Sequence, residues 1–135
     1  MNVAVWDTYV KTPKGSFLHF DIIVPDTQKD SAVIYGYGRD YLAATGGPPA
    51  DFSTEECRLC HIESPTEEML QSIGEKGYYI LEMEEIPAAL PAHPTRRDMI
   101  LHLRAHAVQY RFANFRGISD EQLKAMVQEH EVLDR

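Results

Sequence analysis

The chain has 135 residues, 44% hydrophobic and 25% charged, with a formal net charge of −8. That length suits one ordinary domain with a small appendage, and it buries a core without disulfide staples. The negative balance argues against nucleic acid as a partner, since phosphate binding needs a cationic surface. No apolar run approaches the roughly 20 residues of a membrane span. The opening Met1-Asn2-Val3-Ala4-Val5-Trp6-Asp7 lacks the basic start and apolar run of a signal peptide. The expectation is a cytoplasmic protein with free thiols and no membrane partner.

Val3 to Val10 is β-branched and aromatic and reads as a strand. Lys11-Thr12-Pro13-Lys14-Gly15 is turn chemistry, and Ser16 to Val24 completes a hairpin that Pro25 ends. Asp26 or Thr27 caps a helix to about Ala44, apolar at Val33, Ile34, Tyr37, Tyr41 and Leu42. After the loop Thr45 to Asp51, the segment Cys57-Arg58-Leu59-Cys60-His61 leads into a short strand at Ile62 and Glu63. Ser64 as cap, Pro65 at the first position and Glu67 and Glu68 in the first turn start a helix that ends near Gly74 to Gly77. Tyr78 to Glu84 reads as the fourth strand.

The order β-β-α-β-α-β predicts an α+β core over residues 1–86. Its four-stranded mixed sheet carries two helices on one face, with the last two strands parallel across a right-handed crossover. Residues 87–94, Pro87-Ala88-Ala89-Leu90-Pro91-Ala92-His93-Pro94, form a stiff linker. Residues 95–135 are a two-helix extension. One helix runs from Thr95 to Phe115 with Gly117 as its stop, and a short one follows, capped by Ser119-Asp120-Glu121-Gln122 and reaching about His130. The apolar stripe over residues 99–115 is too wide for a helix lying free in solvent, which predicts a homodimer through the 95–116 helix. Residues 1–86 hold 6 basic and 15 acidic side chains, whereas residues 95–117 hold five arginines against Asp98. That asymmetry suggests docking of the extension on its own acidic domain or on a second copy.

Side chains alternate across a strand. The predicted strands therefore collect Asp7, His19, Asp21, His61, Glu63 and Glu82 on one sheet face, a content suited to a divalent metal or an acid–base pair. The CxxCH string allows three chemistries. Covalent haem attachment would use Cys57, Cys60 and His61, and the missing export signal makes haem the weakest reading. Thiol–disulfide exchange would use Cys57 and Cys60, but the segment lacks the helix N-terminus that stabilises a thiolate. Metal ligation, by zinc or another divalent ion, draws on Cys57, Cys60, His61, His19 and Glu63. Beside these stands the plain reading of Cys60 as a buried apolar residue and Cys57 as a loop residue. His102 and His106 lie one helical turn apart, but position 103 is Leu rather than Glu, so they read as a polar helix face.

Four segments carry a family resemblance: Val5-Trp6-Asp7-Thr8-Tyr9-Val10, His19-Phe20-Asp21-Ile22, Glu56 through Glu63, and Gly77-Tyr78-Tyr79-Ile80-Leu81-Glu82-Met83-Glu84. Over residues 2–86 the chain resembles the bacterial domain of unknown function 2024 family. The resemblance implies a small α+β fold and no activity, and it implies that members stop near Glu85, so the extension departs from the family pattern. The functional expectation is a binding or interaction protein, with a thiol–disulfide oxidoreductase as the alternative.

Overall fold

The computed structural model describes residues 1–133. β1 (Val3–Lys11) and β2 (Phe17–Pro25) form the expected hairpin, closed by Thr12 N–H donating to Ser16 O at 2.9 Å. Gly15 takes a φ of +86° in that turn, a conformation that favours glycine. β3 (Cys57–Glu63) lies outside β1 and β4 (Tyr79–Ile86) outside β2, giving the order β3-β1-β2-β4. Every neighbouring pair is antiparallel. The sheet is therefore antiparallel rather than mixed. Helix α2 (Glu67–Lys76) joins strands at opposite edges, so the parallel-crossover rule does not apply.

The two core helices do not share a face. Ile34 and Leu42 of α1 (Ser31–Ala44) pack with Ala4, Val10, Phe20, Ile22 and Val24. Met69 of α2 packs with Val3, Val5 and Ile23 on the other side. The reason is in the central strands, which are apolar on both faces at this end and need a cover for each. Helix starts also differ from the expected ones. Asp30 caps α1 by accepting from Ala32 N–H at 3.0 Å, and Thr66, not Ser64, caps α2. Gly77 ends α2 at φ +92°, as its position predicts.

In the extension, α3 (Arg96–His106) starts on a reciprocal cap between Thr95 and Asp98. The long helix to Phe115 does not form. The chain turns extended at Ala107, makes a single 3-10 turn at Val108–Tyr110, and runs irregularly to α4 (Asp120–Leu133). Arg111 accounts for the break. Its guanidinium folds back to donate to Arg104 O at 3.0 Å and Ala105 O at 2.5 Å, satisfying carbonyls of the last turn of α3. It also donates to Glu55 O at 2.9 Å, tying the extension to the loop before β3.

The apolar stripe is covered within the chain. Met99, Leu103, Ala107 and Phe115 meet Leu123 and Val127 of α4. Ala105, with Leu101 and Phe112, meets Tyr9, Phe17 and Ile86 of the sheet. The extension thus docks on its own domain, and the stripe that suggested a homodimer needs no second copy. Residues 87–94 carry no helix or strand, and Leu90 packs into the extension's core. Among the described residues no helix is long and apolar enough to cross a membrane.

Candidate functional site

Asp7, Tyr9, His19 and Asp21 share the sheet face under α2 and the extension, with Asp7 opposite Asp21 and Tyr9 opposite His19. Apolar clusters close both ends of this face, and the polar residues sit between them. His19 lies 2.5 Å from Asp7 (Nε2 to Oδ1) and 3.3 Å from Glu84 (Nδ1 to Oε1), with its side chain only 9% exposed. Its ring stacks on Tyr9, centroids 4.3 Å apart and 6° from parallel. Burial pulls His19 toward the neutral form, but the hydrogen bonds and charges of Asp7 and Glu84 outweigh it and raise the pKa. A charged imidazole donates from both nitrogens, which fits its two carboxylate partners.

Asp21 moves the other way from an ordinary carboxylate. Burial, then the hydrogen bond and charge of Asp7, push it up to about 7, opposed by His19 and His61. Burial, reinforced by Asp7, also raises the Tyr9 phenol far above its usual range. One ligand atom each from Asp7, His19 and Asp21 lies within 4.8 Å of the other two. Two carboxylate oxygens and one imidazole nitrogen at that spacing can hold a divalent ion or pass a proton.

Asp7 also borders a cleft of about 520 Å³ between β3 and the segment after α3. Arg58, Leu59 and Cys60 form one wall; Arg104, Arg111, Phe112 and Arg116 come from the extension. Glu84 connects the two parts as well, since Arg97 of α3 lies 3.9 Å from the oxygen that His19 contacts.

The family model described as domain of unknown function, DUF2024, matches residues 1–83. The chain belongs to this family. The family domain is also similar to the NMR structure of protein NE1680 from Nitrosomonas europaea, a structural genomics target. That match has 37% identity and a TM-score of 0.54, covering 62% of this chain and 96% of the other. No curated protein matches.

Within the DUF2024 domain the five expected metal ligands scatter. Cys57 pairs with Thr8 and is buried on the α1 side, where the Thr8 hydroxyl donates to its sulfur at 3.3 Å. Burial pushes its thiol up to about 11. Cys60 is exposed and lines the arginine cleft, on the opposite side. The expected roles of the two cysteines are therefore reversed. The strand pairing shifts register between Val5 and Trp6, leaving Cys60 as the bulged residue and swapping the faces on either side of it. Among the described residues His61 bonds only its neighbour Glu63, at 2.9 Å, on the exposed edge strand. Of the five, only His19 joins a group of three potential ligands among the described residues.

Asp7 and Asp21 belong to the expected polar face, but the expected ligand set leaves them out. Glu82 does not belong to that face: it accepts from the Tyr41 hydroxyl at 2.7 Å on the α1 side. A second register shift, opposite Leu18 and Phe20, brings Glu84 to His19 in its place. His102 is not part of a polar surface either. It is buried, its ring 4.5 Å from that of His106.

Proposed function

We propose that this chain is a cytoplasmic metal-binding protein whose divalent ion sits on Asp7, His19 and Asp21. The convergence of their three ligand atoms within 4.8 Å carries the reading. Support comes from the way the site handles charge. Three carboxylates, Asp7, Asp21 and Glu84, crowd around one imidazole, and protons do the neutralising: the His19 pKa is raised, favouring its charged form, and Asp21 keeps a proton to about 7. A divalent cation supplies the same positive charge in their place, so binding releases protons and strengthens as pH rises through neutrality. Hard oxygens with one imidazole suit manganese, iron, cobalt or zinc better than a thiolate-selected ion. Three protein ligands leave coordination positions for water or a ligand, the pattern of a working site rather than a closed structural one.

The thiol–disulfide reading loses ground to this one. A buried thiol at about 11 is a poor nucleophile, and its intended partner lines the other side of the sheet. The reading includes no homodimer, because the motivating stripe is covered within the chain.

Calorimetric titration of the untagged full chain with Zn²⁺ and with Mn²⁺ tests the proposal. The expected result is one equivalent bound, with proton release that varies with buffer ionisation enthalpy, and loss of binding in both His19→Ala and Asp21→Asn. Equal affinity in wild type and the two variants, or no binding of either ion, overturns it.

A further inference from the structure

We infer that the arginine cleft beside Asp7 is a binding site for a small phosphate-bearing anion. Arg58, Arg104 and Arg116 line it, and Asp7 is the acidic residue on its wall. In a chain of net charge −8, such a gathering runs against the overall balance. Arg96 forms an ion pair with Asp120 and Arg97 approaches Glu84, but none of the three cleft arginines pairs with a carboxylate among the described residues.

Two of the three are held in place without being neutralised. Arg58 lies over the Phe112 ring, 4.5 Å from its centroid, and donates Nη2 to Thr54 O at 3.0 Å. Arg104 sits 5.4 Å from the Phe115 centroid and donates Nη2 to Ala113 O at 3.3 Å. Each guanidinium has five N–H donors, so most remain for a ligand. Arg111 is different: its donors go to Arg104 O, Ala105 O and Glu55 O, and it builds the wall rather than serving the occupant.

Four guanidinium charges, the wall's Arg111 included, stand against the single Asp7 carboxylate, and that excess favours a dianion over a monoanion. A phosphate monoester is mostly dianionic at neutral pH, with a second pKa of about 6. Arginine forks fit its oxygens two at a time. A volume of about 520 Å³ is in the range of small-molecule sites. Since Asp7 belongs to both the cleft and the Asp7–His19–Asp21 group, a phosphate held by the arginines stands next to the proposed ion. The inference thus names the ligand class of the same site, while standing on different residues.

The test is calorimetric titration of the full chain with phenyl phosphate and inorganic phosphate, with benzoate and malonate as carboxylate comparators, after EDTA treatment and again with Mn²⁺ added. The expected result is saturable phosphate binding, tighter than for either carboxylate. It should weaken by about tenfold or more in the double variant Arg58→Gln/Arg116→Gln, whose two side chains are exposed and whose folding is checked by Tm. Arg104→Gln provides a second variant acting on the same ligand. Phosphate binding that persists in EDTA-treated His19→Ala supports this inference even if the metal reading fails. Binding that needs the metal and ignores the arginine substitutions overturns this inference and leaves the metal reading standing. Absence of saturation in both conditions, or equal affinity for the carboxylates, also overturns it.

Discussion

Substituting Arg111 should detach the extension while leaving the family domain folded. Its guanidinium makes three hydrogen bonds to carbonyls, two in the last turn of α3 and one in the loop before β3. It also lies 5.5 Å from the Tyr9 centroid and 5.3 Å from the Phe17 centroid. Hydrogen bonds from a charged donor contribute about 1.5–3 kcal/mol each, and cation–π contacts about 0.5–1 kcal/mol or more. Methionine keeps the stem's packing and removes the desolvation cost of a buried cation, and water can reach some of the freed carbonyls. The net loss for Arg111→Met is then about 2–4 kcal/mol. With a urea dependence of about 1–3 kcal/mol per molar, the extension's transition moves down by about 0.7–4 M. Arg111→Lys restores little, since one ammonium cannot reach three divergent carbonyls as a planar fork does. Urea unfolding followed by circular dichroism, with limited proteolysis in parallel, reads the effect. Cleavage should appear in residues 87–94 and leave a protected fragment close to the family match of residues 1–83. A variant within about 0.5 kcal/mol of wild type, or one with an unchanged cleavage pattern, refutes the argument.

Two further outcomes follow from titratable groups outside the Asp7, His19 and Asp21 group. His102 is buried between α3 and α4, and burial, then the charges of His106 and His130, lower its pKa to about 4. The unfolded chain takes up this proton first, so the stability contributed by neutral His102 is complete above about pH 6.5. It is lost as pH falls toward 4, by up to about 3 kcal/mol. Asp21 and His19, with raised values, act with the opposite sign, so the global acid curve partly cancels. The comparison of wild type with His102→Leu isolates the effect: the variant should lose less stability between pH 6.5 and 4, and parallel curves would rule the idea out. For the thiols, a disulfide reagent at pH 8 should modify exposed Cys60 quickly and buried Cys57 only on unfolding; two fast thiols in the native protein would contradict the burial of Cys57.

Strand content and hairpin order were legible because Val3 to Val10 and Ser16 to Val24 are rich in β-branched and aromatic residues and flank a turn with Pro13 and Gly15. The meeting of Asp7, His19 and Asp21 was legible too, since a two-residue period with no irregularity in the β1–β2 pairing fixes their common face. Two failures lie at irregularities: the bulge at Cys60 exchanges which cysteine is buried, and the shift opposite Leu18 and Phe20 carries Glu84 onto the His19 face. Neither irregularity carries a Gly or Pro marker, so strict alternation cannot place the side chains on both sides of it correctly. Glu82 is a different failure, since it sits in regular register with Phe20 and its strand neighbours Tyr78 and Ile80 pack on the α1 side. The break at Ala107 was hidden likewise. Neither Gly nor Pro stands there, and the helix ends because Arg111, four positions on, supplies donors to its last carbonyls. A tertiary contact overrides the local helical pattern, and no window of sequence around Ala107 contains that information.

The extension changes what the family domain can do. The match to DUF2024 ends at residue 83, and Arg104, Phe112 and Arg116 all lie beyond it. Without them the Asp7 face offers a carboxylate pair and a histidine on a sheet, with Arg58 as the cation on that side of the cleft. With them the same face becomes one wall of a cleft with a cationic rim and an anionic floor. Such an arrangement is suited to a ligand with a negative group at one end and a metal-seeking or proton-exchanging group at the other. Arg111 is the joint that sets the distance between rim and floor, because it bonds the last turn of α3 and the loop before β3 at once. The Arg111→Met variant should therefore weaken phosphate binding even though Arg111 contributes no donor to the ligand, while Asp7, His19 and Asp21, all on the hairpin of the family domain, still converge. Phosphate affinity equal to wild type in a variant whose extension has detached would show that the arginines of the extension are not part of the site.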